Sequence, residues 1–296
     1  MSSLLPNTRA LFIGLGVMGY HMAGHLSKQL PTAIYNRSKD KAERWLSEFE
    51  GEHCKELDQS IQAFNVILTC IGNDDDLRQI YLGPSGLLAN AKPGTVFIDH
   101  TTASADLARE LSGEADANGC SFIDAPVSGG EQGAINGQLT IMCGGELEAY
   151  NKALPVMEIF AKAVNRLGDS GAGQLTKMCN QIAIAGLVQG LAESLHFAQQ
   201  AGLDQQQVID VISKGAAQSW QMDNRHKTMI ADEFNHGFAV DWMRKDLGIC
   251  LDEARRVGAK LPVTALVDQF YADVQDMNGG RWDTSSLLKR LIKPQA

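Results

Sequence analysis

The sequence predicts an α/β chain, with a doubly wound, mostly parallel sheet followed by an all-α C-terminal domain. Three observations point to it. Through the first two-thirds, short and almost wholly apolar runs alternate with amphipathic helical patterns, as parallel strands covered on both faces require. The run Gly168-Asp169-Ser170-Gly171-Ala172-Gly173 then punctuates the pattern. Beyond it only helical periodicity continues. A length of 296 residues suits two domains, and the punctuation places them at 1–167 and 168–296.

The elements follow in order. Residues 9–14 read as a buried strand and 17–29 as the helix after it. Residues 32–36 are a second strand and 39–49 a second helix. Residues 65–71, 95–99, 120–124 and 139–143 are further apolar strands. Residues 174–201 read as one long helix stopped by Gly202. It is apolar on most faces, so it should be buried against another domain or subunit. Further helices are expected over 205–213, 222–232, 239–257, 262–276 and 284–291.

Composition excludes several classes. A net charge of −9 argues against nucleic acid or an anionic membrane surface as partner, since both need a basic footprint. No window approaches 18 unbroken apolar residues, so no membrane span is expected. The segment Met1 to Asn7 lacks a basic stretch followed by an apolar core, so no signal peptide is expected. The six cysteines form no CxxC pair and read as free thiols of a cytoplasmic protein.

The glycines carry the first chemistry. Gly14-Leu15-Gly16-Val17-Met18-Gly19 is a GxGxxG between an apolar strand and a helix, the context of a Rossmann-type dinucleotide site. Gly14 permits the tight turn, Gly16 lets a pyrophosphate approach the backbone, and Gly19 allows close helix–sheet packing. The bland reading is glycine for packing alone. About 20 residues on, an NAD site carries a carboxylate for the ribose hydroxyls. Here the chain reads Asn36-Arg37-Ser38-Lys39, with no carboxylate before Asp40. Arg37 can clamp a phosphate, which favours NADP(H) while leaving NAD(H) possible. A solvated basic turn is the alternative.

At this point the chain resembles the β-hydroxyacid dehydrogenase family, that is, 3-hydroxyisobutyrate dehydrogenase and its relatives, including glyoxylate/succinic semialdehyde and tartronate semialdehyde reductases. Four ordered segments carry the likeness, from Phe12 near the N-terminus to Leu247. Phe12 through Leu26 is similar to the family's N-terminal signature. Asp124-Ala125-Pro126-Val127-Ser128-Gly129-Gly130 is similar to its substrate-binding segment. Gly168 through Asn180 is similar to its GxxGxGxxxKxxN segment, and Phe238 through Leu247 to its C-terminal KDL segment.

The resemblance implies roles by position. Lys177 falls on the catalytic lysine, and Asn180 lies one turn on along the same helical face. Ser128, Gly129 and Gly130 match the loop that holds the substrate carboxylate. Thr102 matches a cofactor contact, Lys245 a residue that reaches the cofactor, and Asp246 a substrate-side residue near the lysine. The cofactor set is then Gly14, Leu15, Gly16, Val17, Met18, Gly19, Asn36, Arg37, Ser38, Ile71, Gly72, Thr102 and Lys245. This chain departs from the family at Gln181, where KxxNN has its second Asn. It departs again at Ile71-Gly72, where Leu-Pro is frequent, and at Thr101-Thr102 after His100.

These residues suit hydride transfer between NADP(H) and a small anionic 3-hydroxy acid or its semialdehyde, with Lys177 as general acid/base. A lysine works near neutral pH if burial or a neighbouring cation lowers its pKa from about 10.4, or if it serves as the protonated acid. The active site is expected at the C-terminal edge of the sheet, and a homodimer or homotetramer is expected from the long apolar helix. The rivals are a non-catalytic dinucleotide-binding module and an imine reductase of the same fold, which typically replaces the lysine. A 6-phosphogluconate dehydrogenase relative would want a longer C-terminal half.

Other signals have plainer readings. His21 and His25 stand at i, i+4 without a third ligand, so no metal is expected. Asn73-Asp74-Asp75-Asp76 reads as the N-cap and first turn of a helix beginning near Asp75. Trp220, Trp242, Phe234 and Phe238 read as core or interface, with Ser219-Trp220, placed in a loop, as a substrate-pocket candidate.

Overall fold

A computed structural model of the chain describes residues 8–292; the segment Met1 to Asn7, read above for a signal peptide, lies outside them. The chain forms two compact units that divide after Lys177. In the first unit the order is β1 (Ala10–Ile13), α1 (Val17–Ser27), β2 (Thr32–Tyr35), α2 (Lys39–Glu48), β3 (Glu52–His53), β4 (Val66–Thr69), α3 (Asp74–Leu82) and α4 (Leu87–Asn90). It continues with β5 (Val96–Asp99), α5 (Ala105–Ala117), β6 (Ser121–Asp124), β7 (Val127–Ser128), α6 (Gly130–Ile135), β8 (Leu139–Gly144), α7 (Leu147–Met157) and β9 (Ala161–Gly168).

One sheet runs in the order β3-β2-β1-β4-β5-β6-β8-β7, with β9 also paired to β8. The six strands from β3 to β6 are parallel, and β8 meets β6 and β7 antiparallel. Period-two alternation sorts the apolar residues between the two faces. Phe12, Leu68, Ile98 and Ile123 are in register and pack into one core layer. Leu11, Ile67, Phe97 and Phe122, one residue earlier, pack into the other. Strands β3 and β7 have only two residues each. Strand β9 is part-exposed along its length, with a burial pattern that alternates imperfectly; it carries no apolar run, which is why periodicity passes over it.

The second unit is helical. Helix α8 (Ala172–Gln200) begins in the first unit and continues into it, followed by α9 (Gln205–Ile212), α10 (Trp220–Ile230), α11 (Val240–Val257), α12 (Pro262–Asp276) and α13 (Leu287–Leu291). Its core gathers Val188 and Leu195 of α8, Met243 and Leu247 of α11 and Tyr271 of α12. The expected helix ends agree within two residues, except that 284–286 form a 3-10 turn before α13. The expected loop position of Trp220 is corrected: Ser219 is an N-cap whose side chain accepts from Met222 N–H, and Trp220 opens α10. No helix among the described residues is long and apolar enough to cross a membrane.

Two buried carboxyls at the C-terminal ends of β5 and β6 stand side by side in the register, Asp99 against Asp124. Asp99 Oδ1 accepts from Thr69 Oγ1 at 2.7 Å and Thr101 N–H at 3.1 Å. Burial pushes this carboxyl up to about 7. Asp124 is committed on both oxygens: Oδ1 accepts from Gly171 N–H at 2.8 Å and Oδ2 from Gln174 N–H at 2.9 Å. Burial raises it to about 6, against the opposing pull of those N–H groups. A carboxylate at the exposed amides of a helix start is favourable both as a hydrogen-bond acceptor and as a charge at the positive end of the dipole. Asp124 thus caps α8 from a strand about 50 residues earlier.

These two carboxyls should respond oppositely to substitution. Each unit of upward shift costs the ionised form about 1.4 kcal/mol. Below about pH 4 Asp99 is protonated in both folded and unfolded chains; as the pH rises toward 7 the unfolded chain ionises first and the native state loses stability. Asp99→Asn should therefore melt roughly 5 °C above wild type near pH 8 and level with it near pH 4. Asp124→Asn turns an NH2 toward a backbone N–H, and should cost about 1–3 kcal/mol near pH 8. Thermal melts of both variants across this range check the pair.

Candidate active site

The parallel register brings the ends of β1, β2, β4, β5 and β6 to one edge, and the expected site residues of the first unit gather along it. After β1, Gly14 holds φ +99°, and a Cβ there would collide with the Cys70 carbonyl. A Cβ at Gly19 would strike the Gly14 carbonyl. The fold itself demands both glycines. Gly16 is different. It is the N-cap of α1 with φ −73°, which any residue adopts, and a Cβ there would meet nothing within 4 Å. No side chain caps this helix end and its first turn carries no acidic residue. Leu15 is buried, and the stretch Gly16, Val17, Met18 after it offers bare backbone at a helix start, which fits a pyrophosphate.

Asn36, after β2, is a staple for that turn. Its Oδ1 accepts from Leu15 N–H at 2.8 Å and its Nδ2 donates to Ser38 O at 3.0 Å. Arg37 and Ser38 beside it are exposed, and no ion pair engages Arg37 among the described residues. After β4, the Ile71 N–H donates to Thr101 Oγ1 at 3.0 Å, so the Ile71-Gly72 and Thr101-Thr102 turns are tied together. His100, one of the departures, is structural: its Nδ1 donates to the Ala125 carbonyl at 2.7 Å, burial lowers it to about 4, and it packs edge-on against Phe160.

Between β7 and α6, Gly129 (φ +134°) and Gly130 (φ +63°) follow Ser128, and a Cβ at Gly130 would again meet open space. His25 of α1 fixes this loop from behind. Its Nε2 lies 3.0 Å from both the Ala134 and Ile135 carbonyls at the end of α6. His25 is thereby a positioning group, and no cluster of three metal-ligating side chains occurs among the described residues. Asn73 accepts from Asp76 N–H as the N-cap of α3, which starts at Asp74.

The start of α8 is bound to the same edge twice over. Besides the Asp124 cap, Gln174 donates from Nε2 to Thr101 O at 2.7 Å and accepts at Oε1 from Ala103 N–H at 3.0 Å. Lys177 follows one helical turn later and is 7% exposed. Gly144 and Gly173 make room for the cap: a Cβ on either would lie 2.6–2.8 Å from an Asp124 oxygen. Asp124 and Gln174 were not among the residues singled out from sequence, although Asp124 opens the substrate-loop motif.

In the second unit Asn180 is half-buried and donates from Nδ2 to Gln181 Oε1 at 2.8 Å. Gln181 Nε2 donates to Asp246 Oδ2 at 2.6 Å. Lys245 Nζ stands 3.1 Å from Asp246 Oδ1 and 5.7 Å over the Trp242 ring. Asp246, expected on the substrate, is buried at 2% with its carboxylate directed at these two neighbours. The aromatic group divides. Phe234 belongs to the core and partly buried Phe238 packs against it, whereas Trp220 and Trp242 are exposed and lie under Arg225 and Lys245 respectively. None of the six cysteines is in a disulfide; Cys70 is half-buried and Cys179 is exposed.

Known proteins place this arrangement. The profile of the NAD binding domain of 6-phosphogluconate dehydrogenase matches residues 10–168, and that of the NAD-binding domain of NADP-dependent 3-hydroxyisobutyrate dehydrogenase matches residues 171–291. An uncharacterised oxidoreductase of Shewanella frigidimarina is 55% identical over 97% of this chain and 99% of its own length. The structure of Mycobacterium tuberculosis 3-hydroxyisobutyrate dehydrogenase with L-serine superposes with a TM-score of 0.87 at 28% identity, covering 97% of this chain and 99% of that one. A structure of Psf3 in complex with NADP+ and 2-OPP gives 0.88 at 26% identity, covering 96% and 100%. The chain belongs to the 3-hydroxyisobutyrate dehydrogenase-like, or β-hydroxyacid dehydrogenase, family of NAD(P)-dependent oxidoreductases.

Proposed function

We propose that this chain interconverts a small 3-hydroxy acid, or another short hydroxy acid, and its semialdehyde or keto form with NADP(H), using Lys177 as general acid/base. The observation that carries the reading is the double anchoring of α8 by Asp124 and Gln174, which fixes a buried lysine one turn beyond the cofactor-side loops. The bare backbone at Gly16 supports the dinucleotide, and exposed Arg37 supports a 2′-phosphate over a free ribose. The cofactor domain is taken as 1–167 and the helical domain as 168–296.

NADP(H), when bound, supplies or takes the hydride. The protein does the rest. The glycine backbone after Ser128 binds the carboxylate that all these substrates share, since Gly129 and Gly130 put no side chain in the way. Lys177 donates a proton to the carbonyl oxygen in reduction and removes one from the hydroxyl in oxidation. Asn180 orients the lysine. Exposed Leu187 and Phe197 on α8 support a homodimer or homotetramer, and six cysteines outside any disulfide support a cytoplasmic protein.

Purified protein should consume NADPH with glyoxylate, succinic semialdehyde or tartronate semialdehyde, or reduce NADP+ with 3-hydroxy acids. Lys177→Ala should lower kcat by about 10²–10⁴-fold and leave the NADPH Kd within about two-fold; no turnover by wild type anywhere in this panel overturns the reading. Arg37→Ala should weaken NADPH by about ten-fold, equal to about 1.4 kcal/mol, with NADH binding unchanged. Equal losses for both cofactors would show that Arg37 does not read the 2′ position.

A further inference from the structure

Gln181 is 2% exposed on α8, and it stands where hydrogen-bond polarity must be chosen. On one side is the Asp246 carboxylate, paired with the Lys245 ammonium 3.1 Å from Oδ1. An ionised carboxylate only accepts. Gln181 must therefore present an N–H to it, and Nε2 lies 2.6 Å from Oδ2. That leaves Oε1 as an acceptor on the other side, where Asn180 Nδ2 donates at 2.8 Å. Asn180 is fixed in turn. Its NH2 faces Gln181, so its carbonyl oxygen is the end that serves donors elsewhere.

We propose that Gln181 is a positioning residue that passes the polarity of Asp246 through two side-chain amides and so presents Asn180 Oδ1 as an acceptor for the Lys177 ammonium. Lys177 and Asn180 are three residues apart on one helix, a spacing that places side chains on a common face. With the amide reversed, an NH2 would oppose the ammonium. The charged groups concerned are Lys177 on α8 and Lys245 and Asp246 on α11. The assignment rests on the reading of Lys177 as general acid/base. It gives the departure from the KxxNN pattern a function, because the longer amide at 181 spans the distance from Asn180 to Asp246.

Three variants test the relay. Gln181→Leu removes it and should lower kcat by about ten-fold or more, with the NADPH Kd unchanged. Gln181→Glu sets two carboxylates against each other and should lower kcat similarly near pH 8. Combining Gln181→Glu with Asp246→Asn moves the charge one residue along. The new amide donates, Glu accepts on both sides, and Asn180 keeps its direction. The double variant should recover about ten-fold over Gln181→Glu. The Asn180 side-chain amide resonance, assigned by its loss in Asn180→Asp, reports the relay without turnover. It should shift in Gln181→Leu and return toward the wild-type position in the double variant.

A resonance that behaves so in a protein without turnover would sink the proposed function and leave the relay standing. A resonance unmoved by Gln181→Leu, a double variant no faster than Gln181→Glu, or Gln181→Leu within two-fold of wild type in kcat would each overturn the relay's part in the reaction.

Discussion

The arrangement at the C-terminal edge of the sheet depends on one interaction: the Asp124 carboxylate at the start of α8. A 29-residue helix that starts just after Gly171, a residue without a side chain, takes its cap from the end of β6. The two N–H bonds fix where the helix begins, and the Gln174 side chain, bonded to the loop after β5, fixes its rotation. Every residue on the first turns then has a set place, because helical geometry allows 1.5 Å and one hundred degrees, roughly, per residue. Lys177 inherits its position from Asp124, which it does not neighbour in sequence and which binds the helix only through backbone N–H groups at Gly171 and Gln174. The cost of burying that acid is visible in its raised pKa, and it is offset by charge-assisted bonds to backbone.

The glycines sort by the same physical test. Gly14 and Gly19 are required by neighbouring atoms of the fold, and Gly144 and Gly173 by the Asp124 oxygens. Gly16 and Gly130 are required by no neighbour within 4 Å. Gly130 still needs its positive φ, whereas Gly16 has an ordinary backbone. A glycine that neither sterics nor dihedral angle demands, at the mouth of a helix, is best accounted for by something that approaches from outside the chain.

Much of this was legible in the sequence, for identifiable reasons. The strands from 65–71 to 120–124 announced themselves because both faces of the sheet are covered, so their residues are apolar without alternation. The helices after 172 showed their period over long stretches. Lys177 was legible only through its motif, since a single lysine on an apolar helix also fits a snorkelling side chain. The Asp124 cap, the Gln174 clamp and the Asn180–Gln181–Asp246 chain were not legible. Each depends on bonds between residues 47 to 73 positions apart, and no local pattern encodes such a meeting. Gln181 was visible only as an exception to a family habit. Strand β9 was missed because its partly exposed residues lack the apolar run that marks the others.

The Asn36 staple has a consequence for how cofactor choice could drift over evolutionary time. In many dinucleotide sites the residue at the end of the second strand is free to become a carboxylate. Here that side chain already joins Leu15 to Ser38. A carboxylate at 36 would keep the Leu15 bond but set its second oxygen against the Ser38 carbonyl, replacing an attraction by a repulsion. Position 37, exposed and outside the staple, carries no such constraint. Position 37 can change in single steps, whereas a change at Asn36 must be accompanied by a rebuilt turn.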